Sequence, residues 1–319
     1  MEMEGELFMY NFRTDLALER REIYRKTNNI DNEVDGIETQ EEQVNDKMKV
    51  TRVRILNEQG EAAIGKKKGN YITIDINKIN LLTEEELQKA SDILSEELKK
   101  LVQGKVGIKE EVLVVGLGNE EVTPDALGPN VIKDIEVTRH IIKYLPQYVD
   151  ENTRAVSAIA PGVLGTTGIE TLEIIKGVVD NVKPKLLIVI DALASRSIER
   201  ISSTIQLSDT GIIPGAGVGN QRKEISENTL GIPVIAIGIP TVVETAVVVN
   251  DALDIFIEKL QKEAESNDYL NKLKDEDNYE LIKEALLPKD YNFIVTPKEI
   301  DELILNMSSV VARGINSSI

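Results

Sequence analysis

Cysteine and tryptophan are absent from this 319-residue chain, and histidine occurs once, at position 140. Without cysteine there is neither a disulfide framework nor a thiol nucleophile, so the chain needs no oxidising compartment. A Ser–His–Asp triad would have to use His140, which lies beside Arg139 in a helical stretch, and no G-x-S-x-G elbow accompanies it. A solvated or hydrogen-bonded structural role is the plainer reading of His140. A zinc centre of the common hydrolase kind wants several His or Cys ligands, whereas a carboxylate-rich metal site stays open. Long apolar runs are missing too. Nothing approaches the ~20 residues that span a bilayer, and the acidic Met1–Tyr10 has no basic region ahead of an apolar one. A cytoplasmic protein with no membrane partner is expected. Positive charge is scarce: 37 Lys and Arg against 55 Asp and Glu leave a formal charge of −18. That balance argues against direct nucleic-acid binding, which needs Lys and Arg to displace counterions. It serves solubility and is compatible with steering basic protein partners.

Aromatic residues make up only 4% of the chain, so packing must rest on Val, Ile, Leu and Ala, which suits buried parallel strands flanked by helices. Residues 1–25 read as a short arm, and the acidic Asp31–Asp46 as a loose loop. Strands at Val50–Leu56 and Tyr71–Ile76, around the turn-rich Ile64–Gly69, predict a β-hairpin or its larger equivalent within residues 49–80. Thr83 and Glu86 give a capping-box pattern ahead of Leu87, Ala90, Leu94, Leu98 and Leu101 at helical spacing. Between residues 111 and 262 strands alternate with helices. Strands are predicted at Val112–Leu117, Ala155–Ala160, Leu186–Ile190 and Pro233–Ile239, with Thr204–Ser208 at an edge. Helices are predicted at Asn130–Leu145, Ile169–Asn181 and Thr241–Lys262. This alternation predicts the α/β class, with a doubly wound, mainly parallel core sheet. Glu263–Asp277 is charged and peripheral. Thr296, Pro297 and Glu299 then announce a C-terminal helix over 296–316.

In a parallel sheet, ligands gather outside the carboxyl ends of the strands. Two aspartates fall there. Asp191 follows the strand Leu186–Ile190, and Asp125 lies in the loop Val122–Pro129, which Pro124, Gly128 and Pro129 restrict. Two carboxylates brought together do not both ionise easily. The charged one can take a proton from water while the protonated one donates to the peptide oxygen or leaving nitrogen. Helix capping or loop hydrogen bonding is the competing role for each. The strand-end sequence Gly116–Glu121 supplies only G-x-G of a dinucleotide fingerprint, with Glu121 where the third glycine belongs, so no nucleotide cofactor is expected. The glycine-rich passage holding Gly165, Thr166, Thr167 and Gly168 either offers backbone N–H groups to a substrate or caps a helix. Gly211–Asn220 is either a substrate-binding flap or a surface loop. Arg196 and Arg200 either orient an acidic substrate residue or form helical ion pairs around Glu199.

Taken in order, these strings resemble the germination protease family of endospore-forming bacteria. Ile64–Asp75, Val114–Pro129, Pro161–Thr171 and Ile190–Ile201 carry the resemblance, and Ser208–Ser226, Thr229–Val243 and Val295–Asp301 extend it. It implies an endopeptidase of the spore core that degrades small acid-soluble spore proteins during germination, works as a homotetramer, and shares the fold of hydrogenase maturation endopeptidases. It places the catalytic aspartates at Asp125 and Asp191, with no cofactor; a carboxylate-liganded metallopeptidase and a non-enzymatic binder of spore proteins stay open beside it. Thr14-Asp15-Leu16-Ala17 is similar to the family's cleavage signal, and Glu19 continues it. The resemblance therefore implies a zymogen that cuts itself between Asp15 and Leu16. Residues 1–15 would be a propeptide whose Leu7, Phe8, Tyr10 and Phe12 cover the site, and 16–319 one peptidase domain.

Overall fold

β-branched residues dominate the strands, and their alternation determines which way each side chain points. The computed structural model describes residues 14–28, 34–77, 79–107, 109–151, 153–219, 222–263 and 293–319; Leu7, Phe8, Tyr10, Phe12 and most of Glu263–Asp277 lie outside them. Ile37–Asn45 (β1), Met48–Ile55 (β2) and Gly69–Ile76 (β3) form an antiparallel ribbon. Val112–Gly116 (β4), Val156–Ile159 (β5), Leu186–Ser195 (β6) and Val234–Glu244 (β8) make the parallel core, because helical crossovers separate them in the chain. Thr204–Ser208 (β7) joins the halves, antiparallel to both β3 and β8. The spatial order is β1-β2-β3-β7-β8-β6-β4-β5, and the short Ile294–Val295 (β9) pairs with the end of β8.

Helices cover both faces, as the α/β reading expects. Glu84–Val102 (α3) and Ile300–Asn316 lie over Ile74, Val114, Ile188, Ile190, Ile205 and Ile237. The former starts at the expected capping box, with Thr83 accepting from the Glu86 N–H. On the opposite face Thr171–Val182 brings Ile175 and Val179 onto Leu113, Val115, Leu187 and Val189. The helix Ala17–Thr27 (α1) covers that same face further along, where Ala17 and Leu18 pack with Val53, Ile55 and Tyr71.

Several local expectations change. Asp31–Asp46 is no loose loop: it supplies β1, an edge strand whose glutamates pair with β2 through Lys49–Glu41 at 2.6 Å and Arg52–Glu42 at 2.9 Å. Charge on an edge strand discourages pairing with other chains, and it hid the strand from a reading based on apolar content. The two strands near residues 50 and 71 are joined through the helix Glu58–Ile64 (α2), the larger equivalent of a hairpin. The segment after Thr14 is a docked helix rather than an arm. The stretch 130–145 splits into Leu127–Lys133 (α4) and Arg139–Tyr144, and β7 is internal rather than an edge. The C-terminal helix starts at Ile300, because the Thr296 hydroxyl donates instead to the Thr241 carbonyl at 2.9 Å.

Beta 4 and α4 meet backbone to backbone. A Cβ on Gly116 would stand 2.2 Å from the Gly128 carbonyl oxygen, and one on Gly128 2.2 Å from that of Leu117. Gly128→Ala must therefore push the Asp125 loop away from the sheet. The expected cost is about 1–3 kcal/mol of overpacking, seen as a lower urea midpoint at an unchanged denaturant slope.

Candidate active site

Strand period 2 sends Leu187, Val189 and Asp191 to the face covered by Thr171–Val182 and α1. Asp191 does not follow the strand, as expected from sequence. β6 runs on to Ser195, and Asp191 is an interior residue, 5% exposed. It stands directly opposite Gly238 of β8, and Gly238 stands opposite Gln206 of β7. Asp191 and Gln206 thus occupy one row on one face, separated by a residue with no side chain. The Asp191 carboxylate accepts from the Ala192 N–H at 3.0 Å.

Asp125 reaches the same place from β4. The Leu117 N–H donates to the Ile190 carbonyl at 2.8 Å, which ties the exit of β4 to the residue before Asp191. The chain then returns in a 3-10 turn, Thr123–Asp125, that packs on β6 and β8. There the half-buried Asp125 carboxylate accepts from the Asn119 N–H at 2.8 Å. Burial raises the carboxyl of Asp125 above its ordinary range, with the Asn119 bond opposing. Asp191 is raised well above its range, first by burial, then by the charge of Asp125, then by that of Asp15.

Asp15 is therefore a third member of the site. β4 ends at Gly116, opposite Ile190, so beyond that point the β6 edge that β4 had paired is open. Asp15 takes it: its N–H donates to the Ala194 carbonyl at 3.1 Å, and its carboxylate accepts from the Ala194 N–H at 3.0 Å. Gly217 closes over that carboxylate, where any Cβ would come within 2.1 Å of Oδ2. The Gly211–Asn220 loop is thus in contact with the predicted cleavage segment. Leu16 and Ala17 are fully buried. Burial raises Asp15, while half-buried Lys66 and Arg20 pull the other way. Glu19 is also enclosed, accepting from the Arg196 N–H at 2.7 Å, the Ser197 N–H at 3.1 Å and the Thr14 hydroxyl.

Two sequence expectations fare differently here. Arg196 meets an acid through its backbone, while its guanidinium pairs with Asp251 at 2.8 Å. Arg200, in the 3-10 turn Ile198–Arg200, bridges Glu19, Glu22 and Asp75 rather than pairing along a helix with Glu199. Gly165, Thr166, Thr167 and Gly168 form an exposed turn and its cap, in which both threonine hydroxyls donate to the Val163 carbonyl. Among the described residues, no hydrogen bond links them to Asp15, Asp125 or Asp191. Gln206, Gly217 and the Ala194 amide were missed. The signal for Gln206 was present: Thr204, Gln206 and Ser208 alternate with Ile205 and Leu207, and a polar face on an internal strand needs partners.

Carboxyls raised by folding contribute stability that is fully present below their unfolded pKa and lost as pH rises through the folded values. Asp15, Glu19, Asp125 and Asp191 all shift that way. Unprocessed Asp191→Asn is expected to melt a few degrees above the parent chain near pH ~8, with the gap closing toward pH ~4. Scanning calorimetry across that range checks it.

The family model described as germination protease matches residues 15–272 and 267–319. The chain is 48% identical over 314 residues to the germination protease of Clostridium acetobutylicum, covering 97% of this chain and 95% of that one. With that of Geobacillus sp. it shares 40% over 356 residues, covering 98% and 95%. Among solved structures, the [NiFe] hydrogenase maturation protease HycI from Thermococcus kodakarensis aligns at TM-score 0.32 and 14% identity, over 69% of this chain and 98% of that one. The chain belongs to the germination protease family, and is thus a peptidase with a role in germination.

Proposed function

We propose that this chain is a self-processing endopeptidase zymogen that uses Asp125 and Asp191 to add water to the Asp15–Leu16 peptide. One observation carries the reading: Asp15 is bonded along the open edge of β6, three residues beyond Asp191, and Leu16 after it is fully buried. Its charge is felt at Asp191 itself. A segment placed there is held as a substrate would be, and it also keeps other substrates out.

The two acids divide the work by environment. Asp191, more deeply enclosed and facing two other carboxylates, keeps the proton. Asp125, partly exposed and bonded to the Asn119 N–H, is the ionised base. Asp125 takes one proton from water as the water oxygen bonds to the Asp15 carbonyl carbon, and the carbonyl oxygen takes the proton of Asp191. The carbon–nitrogen bond then breaks, and the Leu16 nitrogen receives the proton held by Asp125. A hydroxyl proton of the diol returns to Asp191. The products are a carboxyl on Asp15 and an amine on Leu16. No resident metal is needed in this scheme. After processing, the same pair would cut small acid-soluble spore proteins in the spore core, in a homotetramer to which exposed Tyr144, Leu145 and Tyr148 offer apolar surface. In the described residues no helix is long and apolar enough to cross a membrane.

Asp125→Asn and Asp191→Asn should each fold and slow self-processing by at least about 10²-fold. Mass spectrometry of the mature parent chain should give Leu16 as its first residue; another start rejects the cut site. Dialysis against a chelator should leave the rate unchanged, and a loss restored by added metal would favour a carboxylate-held ion instead. Processed protein that leaves a spore coat protein intact would favour a binding role. The rate should fall as pH rises through the raised value of Asp191, and fall again where Asp125 gains a proton.

A further inference from the structure

Gln206 touches the chain on both sides of the proposed cut. Its Oε1 accepts from the Ala17 N–H at 2.7 Å, and its Nε2 donates to the Asp15 carbonyl oxygen at 3.3 Å. A backbone N–H can only donate, so the first bond requires oxygen toward Ala17 and leaves nitrogen facing the Asp15 carbonyl. The residue is only 8% exposed, in an internal strand paired with Thr73 of β3 and Gly238 of β8. Its carboxamide therefore works from a fixed base, on the row that carries Asp191.

We propose that Gln206 is a further catalytic residue, whose Nε2–H stabilises the negative charge that develops on the Asp15 carbonyl oxygen while its Oε1 keeps the following residues in line. The inference rests on the Asp15–Leu16 bond being the one cut. When the water oxygen bonds to the carbonyl carbon, the carbon–oxygen π pair moves onto that oxygen. The oxygen is then protonated from Asp191; Gln206 transfers no proton and ends the step unchanged. A neutral donor suits this place, because a lysine or arginine would favour the ionised form of Asp191 and drain its proton. The ground-state bond is long, so the contact is able to shorten as charge builds, and only an interaction stronger in the transition state speeds the step. The alternative is a latch that merely holds the segment down.

Self-processing of the full chain separates these roles, with the rate of Leu16 appearance read by mass spectrometry and docking read by hydrogen exchange of residues 14–20. Gln206→Glu keeps the acceptor for Ala17 and removes the amide donor. It should retain exchange protection and lose about 10²-fold in rate. The deficit should shrink as pH falls and the introduced carboxyl regains a proton to donate. Gln206→Met, which lacks both groups, should lose rate and protection together, and covers the case in which the first variant does not fold. Either variant processing within about threefold of the parent overturns the inference. So does a rate loss in Gln206→Glu matched by equal loss of protection, which is the latch. Cutting after Asp15 that survives Asp125→Asn and Asp191→Asn, yet falls in Gln206→Glu, sinks the aspartate pair and leaves Gln206 standing. A cut elsewhere in the parent chain overturns both.

Discussion

Three carboxyl groups lie within electrostatic reach of one another, the most enclosed of them inside a strand, and that crowding governs the site. An ionised carboxylate removed from water has to be paired, hydrogen-bonded or protonated. Asp191, on the buried face of a strand interior, accepts from a single backbone N–H among the described residues, and it faces Asp125 and Asp15. Keeping a proton is the least costly solution. The same environment that makes the arrangement expensive thus stores the proton that the proposed hydrolysis would use. The proposed cut would worsen the crowding, because it adds an α-carboxyl on Asp15 beside the carboxyls already there. Repulsion would then favour departure of the cut segment.

The sheet makes this possible by ending its strands at different heights. β4 stops at Gly116, while β6 continues to Ser195 along β8. The unmatched length of β6 offers Ala194 to an extended segment, the strand-addition mode of peptide recognition. Gly238 keeps the row between Asp191 and Gln206 free of its own side chain, and Leu193 of the neighbouring strand fills the space where its Cβ would lie. Rigidity comes from the same source. Asp191 and Gln206 sit on inner strands of the sheet, so their positions hold without a loop having to be ordered first.

The layering of the fold was legible because it follows from periodicity. Short, β-branched apolar runs such as Leu186–Ile190 fit buried strands, and the Thr83–Glu86 box marks a helix start. Asp125 and Asp191 were singled out as strand-end acids and through the family resemblance; Asp191 lies inside β6 instead, yet within electrostatic reach of Asp125. Long-range partners were not legible. No local pattern says that Gln206 lies opposite Gly238, or that Gly217 closes over Asp15, since these depend on sheet order. β1 escaped for the opposite reason: its local composition is that of a solvated loop, and only pairing with β2 makes it a strand.

The hold on Asp15 shows how such an arm can be both firmly seated and releasable. Burial raises the Asp15 carboxyl and lowers the Lys66 ammonium, while each pulls the other back toward its charged form. No direct ion pair joins them among the described residues, and two enclosed charges separated in this way recover little of what their dehydration costs. What seats Asp15 is directional: the two Ala194 bonds, the bond from Gln206, and a fit against Gly217 so close that no side chain larger than hydrogen is tolerated there. Directional contacts of this kind depend on a continuous chain through Asp15 and Leu16. The proposed cut would free the Asp15 backbone from α1, and the fit around the acid would lose its covalent anchor.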